Sequence, residues 1–312
     1  MKPAFSVILF TVLSGAGYGL ILLAVLFDLF GLGGGPPRAE LLRAGGLGIV
    51  LVTIGLAAST AHLHNPRNAW RSFVRFKTSW LSREAVFAVL TYPFLLVWLW
   101  GVYAGDESVT LWGRLAGAVT VLLGVATVFA TGMIYASLKT IRQWHTPLVP
   151  VNYLAQAFST GILLFYALTL DALAPVPAML ALAAALVVLA AAGKAVYYFW
   201  VARPAGPSIG TATGFTRDRV GLLDPGHGFG TFLTEEFGFQ PPSGRLPLLK
   251  AGVFILGFLL PLLLMGPAAD APGGAAMWIA ALSALVGAAM ERWLFFAEAR
   301  HVVNLYHGAR TT

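Results

Sequence analysis

Eight long apolar runs, separated by polar connections, limit the folds open to this sequence. An α-helix rises about 1.5 Å per residue and the hydrocarbon core of a bilayer is about 30 Å thick, so a run of roughly 20 apolar residues can cross a membrane as one helix. The predicted spans cover residues 4–29, 45–63, 84–104, 111–138, 151–171, 176–201, 247–266 and 275–298. We therefore predict an all-α integral membrane protein, with residues 1–312 forming one bundle of eight transmembrane helices.

The composition agrees with a chain that faces lipid. Hydrophobic residues make up 58% of the sequence and charged residues only 11%, which does not fit a water-soluble surface. The first apolar run is too long for the core of a signal peptide and lacks a small-residue cleavage site, so we interpret it as the first span. The sequence has no cysteine. This excludes disulfides, thiolate zinc sites and iron-sulfur clusters bound by this chain, and any cluster must belong to a partner.

Basic residues are distributed unequally between the two sides of the predicted bundle. Eight spans place both termini on one side, together with the connections 64–83, 139–150 and 202–246. That side carries most of the lysines and arginines, whereas Arg38, Arg43 and Arg114 fall on the other. The positive-inside rule then predicts that the basic side, with both termini, faces the cytoplasm. Because these residues lie in connections and form no amphipathic or aromatic patch, we do not expect nucleic-acid binding.

The connection 202–246 is unusually long. It is rich in glycine and proline, carries aromatic residues and both signs of charge, and has no helical period. Loops of this length are commonly disordered or serve as contact surfaces. We predict an extramembrane loop that contacts a partner.

All six histidines map to the basic side, and none lies at mid-membrane. A di-haem anchor needs facing histidine pairs on its helices to ligate iron. We therefore expect no haem in this chain and no redox cofactor of its own. The histidines are His62, His64, His145, His227, His301 and His307.

The segment 61–87, between the second and third spans, contains the strongest candidate site. His62 continues a face of small residues on the second span, and Glu84 opens the third span, so both lie at one depth near the basic side. Oxidation of a quinol releases two protons with two electrons, and a histidine with a partly buried carboxylate can accept those protons. The alternative is structural: His62 binds a backbone carbonyl, and Glu84 caps its helix beside Arg83 or Arg67.

The same segment resembles a known family. The His62-Leu63-x-x-Pro66 turn, the Arg67-x-x-x-Arg71 pattern and the Leu81-Ser82-Arg83-Glu84 start of the third span resemble the signature of the dimethyl sulfoxide reductase membrane anchor family. The residues 211–240, TATGFTRDRVGLLDPGHGFGTFLTEEFGFQ, resemble a loop of some members, and 287–296, GAAMERWLFF, resemble their last span.

The resemblance implies a function in anaerobic respiration, in the cytoplasmic (inner) membrane of a bacterium. It implies an eight-span anchor for a molybdopterin catalytic subunit and a four-cluster iron-sulfur subunit, which oxidises menaquinol and passes the electrons to the iron-sulfur subunit. His62 and Glu84 match the family positions associated with quinol binding. Weaker candidates near them are His64, Arg67, Arg71, Arg83 and Tyr92.

Three charged residues within the spans offer an alternative. Charges at such depth are costly and face protein or water. We predict that Lys194 extends its ammonium to the basic interface and that Glu291 and Arg292 form an internal ion pair. If these residues instead lined a permeation path, the chain would be a secondary transporter, although it shows no two related halves. A third hypothesis is a purely structural anchor without a quinone site.

Overall fold

A computed structural model of the chain describes residues 1–61, 65–105, 109–173, 175–203, 206–215, 220–224, 230–231, 233–270 and 274–312. Within these ranges eight helices are long and apolar enough to cross a membrane, and no strand is present. The prediction of an all-α bundle of eight helices is confirmed. The helices are α1 Phe5–Phe30, α2 Arg38–Ala61, α3 Trp80–Ala104, α4 Leu111–Ala136, α5 Leu148–Ala172, α6 Val176–Val201, α7 Leu246–Asp270 and α8 Ala275–Ala297.

Two helices begin four or more residues earlier than the apolar pattern indicates: α2 at residue 38 instead of 45, and α3 at 80 instead of 84. Helix α3 begins at Trp80 because the hydroxyl of Ser79 accepts the N–H of Ser82 and caps the helix. Helix α2 begins at Arg38, whose Nε donates to the carbonyl of Val102 at 2.8 Å. Such polar bonds extend a helix beyond its lipid-facing part, and a hydropathy pattern does not detect them.

Helices α1 and α5 form the centre of the bundle and cross at two glycines. A methyl group at Gly19 would lie 1.9 Å from the carbonyl oxygen of Ala157, and one at Gly161 would lie 2.3 Å from the backbone carbon of Gly19. Only hydrogen fits between the two backbones here, which is how transmembrane helices reach close van der Waals contact.

We therefore expect Gly161→Ala to destabilise the protein. Overpacking of this kind costs about 1–3 kcal/mol. Gly46→Ala is the matched control, because a methyl group there meets no atom within 4 Å. Alanine also stabilises a helix relative to glycine. Thermal unfolding in detergent should show a lower melting temperature for Gly161→Ala and no loss for Gly46→Ala. Equal melting temperatures of the two variants would contradict the close crossing of α1 and α5.

A row of small residues on α4 packs against α3. A methyl group at Gly113 would lie 2.8 Å from the Cα of Gly101, and one at Gly117 would lie 2.9 Å from the ring of Trp98. Trp98 is fully buried and donates its indole N–H to Asp28 of α1 at 3.0 Å. The row therefore joins α4 to α3, and Trp98 joins α3 to α1.

The two chain ends lie together at one end of the bundle. The amino group of Met1 donates to the carbonyl of Ala299, two residues after α8, at 2.8 Å. The segment after α8 also pairs with the α4–α5 connection, through a bridge between Ile141 and His301. We call this the basic end: it is where α1, α3, α5 and α7 begin and where α2, α4, α6 and α8 finish.

Candidate functional site

Glu84 lies inside the bundle, one turn from the start of α3. Glu84 is only 4% exposed, and the hydroxyl of Thr131 on α4 donates a hydrogen bond to its carboxylate. The same hydroxyl lies 3.0 Å from the carbonyl of Thr127. Because Ser79 caps α3, the alternative of Glu84 as a capping residue is wrong. A buried carboxylate with one hydroxyl donor retains lone pairs for a further proton or ligand.

Glu84 also lines an internal cavity of about 20 Å³, which is room for about one water molecule. The cavity lies between α1, α2, α3, α4, α5 and α8. Its polar lining includes Tyr18, Tyr153, Gln156 and Arg292. The amide nitrogen of Gln156 is buried and has no hydrogen-bond partner among the described residues. The cavity is therefore suited to a polar occupant that connects the amide with the carboxylate.

Three charged side chains form a buried cluster beside this cavity, which we call the ion cluster: Lys194, Glu291 and Arg292. The Nζ of Lys194 lies 2.5 Å from Oε1 of Glu291, and the Nε of Arg292 lies 3.1 Å from Oε2. The guanidinium of Arg292 stacks over the ring of Tyr153 at 3.7 Å. The predicted ion pair of Glu291 with Arg292 is confirmed.

The predicted position of the Lys194 ammonium at the basic interface is wrong. The residue is 3% exposed, and its ammonium joins α6 to α8 through Glu291. It also lies 4.5 Å from the ring centroid of Tyr197. A lysine near a helix end extends to water when nothing inside the protein neutralises it, and here a carboxylate on a neighbouring helix does so.

The buried charges of the described residues balance only in one state of Glu84. The buried Asp, Glu, Lys and Arg residues are Glu84, Lys194, Glu291 and Arg292. They sum to zero when Glu84 is ionised and to one positive charge when it is protonated. Burial of the carboxyl group favours its protonated form, whereas the net positive charge of the ion cluster favours the ionised form, so neither state is free of cost. This property suits a group that receives and releases protons in turn.

Tyr92 and Arg83 occupy structural positions near Glu84. The hydroxyl of Tyr92 lies 2.8 Å from the hydroxyl of Thr53 and joins α3 to α2. The guanidinium of Arg83 donates to the carbonyls of Phe76 and Lys77 at 3.0 and 2.8 Å. Neither contact reaches the carboxylate of Glu84.

The remaining candidates lie on the α2–α3 connection. Arg67 and Arg71 are exposed at the short helix Pro66–Phe73, and the Arg71 guanidinium lies 5.9 Å from the ring of Trp70. His62 and His64 lie outside the described residues. The pairing of His62 with Glu84 therefore stays a prediction.

The described histidines do not form a metal site. His145 bonds the carbonyl of Ala136 at 2.7 Å, and His301 accepts the N–H of Val303 at 3.0 Å. Burial lowers the pKa of His301, which favours the neutral ring at neutral pH. In the described part of the chain, no three His, Asp or Glu residues are arranged to hold a metal ion.

Three residues of the site, Thr131, Gln156 and Tyr153, were not predicted from the sequence to have a chemical role. Thr131 lies in the fourth predicted span among small and weakly polar residues, a pattern typical of helix packing. Gln156 and Tyr153 lie on α5 with no motif around them. The only sequence signal was the presence of a polar amide in an apolar span, which is costly unless it faces protein or water.

Comparisons with known proteins give one consistent match. The family described as DMSO reductase anchor subunit (DmsC) matches residues 1–298. The C subunit of the sulfite dehydrogenase of Allochromatium vinosum is 34% identical over 325 aligned positions, which cover 98% of this chain and 99% of that protein. The C chain of the anaerobic dimethyl sulfoxide reductase of Escherichia coli is 34% identical over 124 positions, which cover 38% of this chain and 41% of that protein.

Proposed function

Because the chain belongs to the DMSO reductase anchor subunit (DmsC) family, we propose that it exchanges electrons between membrane menaquinol and an iron-sulfur partner subunit. Family membership makes it a multi-pass membrane anchor subunit of an oxidoreductase complex with catalytic and electron-transfer partners. The proposal adds three points: the quinol, the iron-sulfur cluster that receives its electrons, and a molybdopterin catalytic subunit beyond that cluster.

The buried carboxylate of Glu84 is the observation that carries the proposal. Oxidation of one menaquinol releases two protons and two electrons. In the proposal Glu84 accepts one proton, His62 accepts the other, and both electrons pass to the partner cluster. Glu84 suits this role because it is buried, accepts a bond from Thr131 and restores internal charge neutrality when it loses the proton.

The size of the cavity limits where the quinol ring can lie. A volume of about 20 Å³ holds about one water molecule and no aromatic ring system. In the proposal the ring lies outside this cavity, at the basic end, and a water molecule in the cavity carries the proton to Glu84. The Gln156 amide lines the same cavity without a partner of its own within the described ranges, so in the proposal it serves as the second partner of this water.

The basic end is also the surface proposed for the electron-transfer partner. The α2–α3 connection exposes apolar side chains beside its arginines: Trp70 is 61% exposed and Val74 is 64% exposed. Exposed aromatic and apolar residues mixed with arginine are typical of protein interfaces. The long loop 202–246 opens at the same end, so a docked cluster would lie near Glu84.

The full-length relative favours a second candidate, the reverse direction of electron flow. Its name describes a sulfite dehydrogenase, an enzyme that removes electrons from its substrate. If this chain serves a similar complex, Glu84 would donate a proton to a quinone that receives electrons from the partner. The same residues serve both directions, because each step is the reverse of the other.

The intact complex, purified with its partner subunits, tests the proposal and the direction. We expect it to oxidise a reduced menaquinone analogue in the presence of an electron acceptor for the catalytic subunit. If the second candidate holds, the complex will instead reduce the oxidised analogue when sulfite is supplied. If a complex that retains its metal centres shows neither activity, the proposal is refuted, and the hypothesis of a purely structural anchor remains.

A further inference from the structure

A cleft at the basic end is suited to an anionic ligand. It has a volume of about 500 Å³ and lies between the ends of α6 and α8, the start of α7 and the C-terminal segment. We call it the basic cleft, because four cationic side chains line it: Arg142, Arg203, Lys250 and Arg300.

The charges of the basic cleft do not cancel. Among the described residues that line it, Glu298 is the one acidic side chain, and it lies 2.7 Å from Lys250. Four cations against this one carboxylate leave three positive charges for a ligand.

Two of the cations are held in place before any ligand binds. Arg142 donates to the carbonyl of Arg203 at 2.8 Å and lies 4.6 Å from the ring centroid of Trp200. The Arg203 guanidinium lies 4.4 Å from the ring centroid of Phe199. Fixing an arginine on an aromatic ring reduces the entropy that its side chain loses when it binds an anion.

An apolar groove of about 380 Å³ adjoins the basic cleft, and Pro241 lines both. Its walls include Leu248 and Leu249 of α7 and Trp293 of α8. These residues lie within about one turn of the helix ends, roughly 5 Å inside the bundle end. Leu248 is 75% exposed, so this wall faces outward towards lipid.

We propose that the basic cleft and the adjoining groove bind one anionic phospholipid, with its phosphate in the cleft and an acyl chain along the groove. The helix ends Val201 and Ala297 place the cleft at the depth of lipid headgroups, where basic pockets between helices bind anionic headgroups. An acidic protein surface could meet the cations but would leave the adjoining apolar groove unfilled.

The lipid retained by the purified complex tests this proposal. The complex is reconstituted in bilayers of equal phosphatidylglycerol and phosphatidylcholine, returned to detergent and analysed by native mass spectrometry. We expect phosphatidylglycerol to be enriched on the wild type. The double variant Arg203→Gln/Arg300→Gln should retain it about 30-fold less well, since each cation near the headgroups contributes about fivefold.

The matched control is Lys139→Gln/Arg310→Gln, which removes two exposed cations at the same end that do not line the cleft. It should retain the lipid as the wild type does. Trp293→Ala should weaken retention of both lipids, since it removes a wall of the groove. Equal binding of the two lipids to the wild type would overturn the proposal. The proposal would also be overturned if inorganic phosphate displaced the lipid, or if the double variant lost a partner subunit and kept the lipid.

This test measures bound lipid and needs no turnover. Its failure would therefore leave the proposed quinol chemistry untouched. Conversely, a complex inactive towards quinol could still retain the phospholipid.

Discussion

Glu84→Gln is expected to lower quinol-dependent turnover of the assembled complex by roughly 10²–10⁴-fold, the usual contribution of a positioned general base. The amide has the shape of the carboxylate and still accepts the hydroxyl of Thr131, so the bundle should fold normally. It cannot accept a proton from the quinol. Steady-state oxidation of a menaquinol analogue, measured beside the amount of each subunit in the purified complex, gives the comparison.

Two controls, one variant and one assay, sharpen the result. Asp171→Asn removes an exposed carboxylate at the opposite end of the bundle and should leave turnover unchanged. Turnover of the catalytic subunit with an artificial electron donor should also survive Glu84→Gln, because that reaction bypasses the membrane. Normal quinol oxidation by Glu84→Gln would refute the role of this residue, and loss of the complex itself would make the role structural.

The ion cluster, which joins α6 to α8, should contribute strongly to the free energy of unfolding of the bundle. Glu291→Gln removes the carboxylate that neutralises both Lys194 and Arg292, and breaking a buried pair in this way costs about 3–5 kcal/mol. Lys194→Met should cost less, because Glu291 and Arg292 then remain as a neutral pair. Thermal unfolding of the complex in detergent, followed by tryptophan fluorescence, ranks the variants.

The control for this prediction is Glu40→Gln at the other end of the bundle. It breaks the pair with Arg43, whose side chain is 62% exposed, and such pairs contribute about 0–1 kcal/mol. The melting temperature should therefore fall strongly for Glu291→Gln and little for Glu40→Gln. If Lys194→Met were as damaging as Glu291→Gln, packing would explain the effect and charge balance would not.

The accuracy of the sequence interpretation differed between local and long-range features. The eight helices were predictable because length and hydropathy are properties of a single segment. The start of α3 at Trp80 was missed, since it depends on a polar cap at Ser79. Trp98 illustrates the long-range case: a tryptophan near a span end is typical of a membrane interface, yet this one is buried against Asp28.

The sequence alone determined the class of the protein, its eight helices and the family motif at 62–84. These follow from composition and from the regular rise of one helix. Only the tertiary structure decided that Glu84 meets Thr131, 47 positions away, and that Lys194 turns inward to Glu291, 97 positions away. The physical reason is that a buried charge selects whichever neighbouring helix can neutralise it, and helix packing decides which neighbour that is.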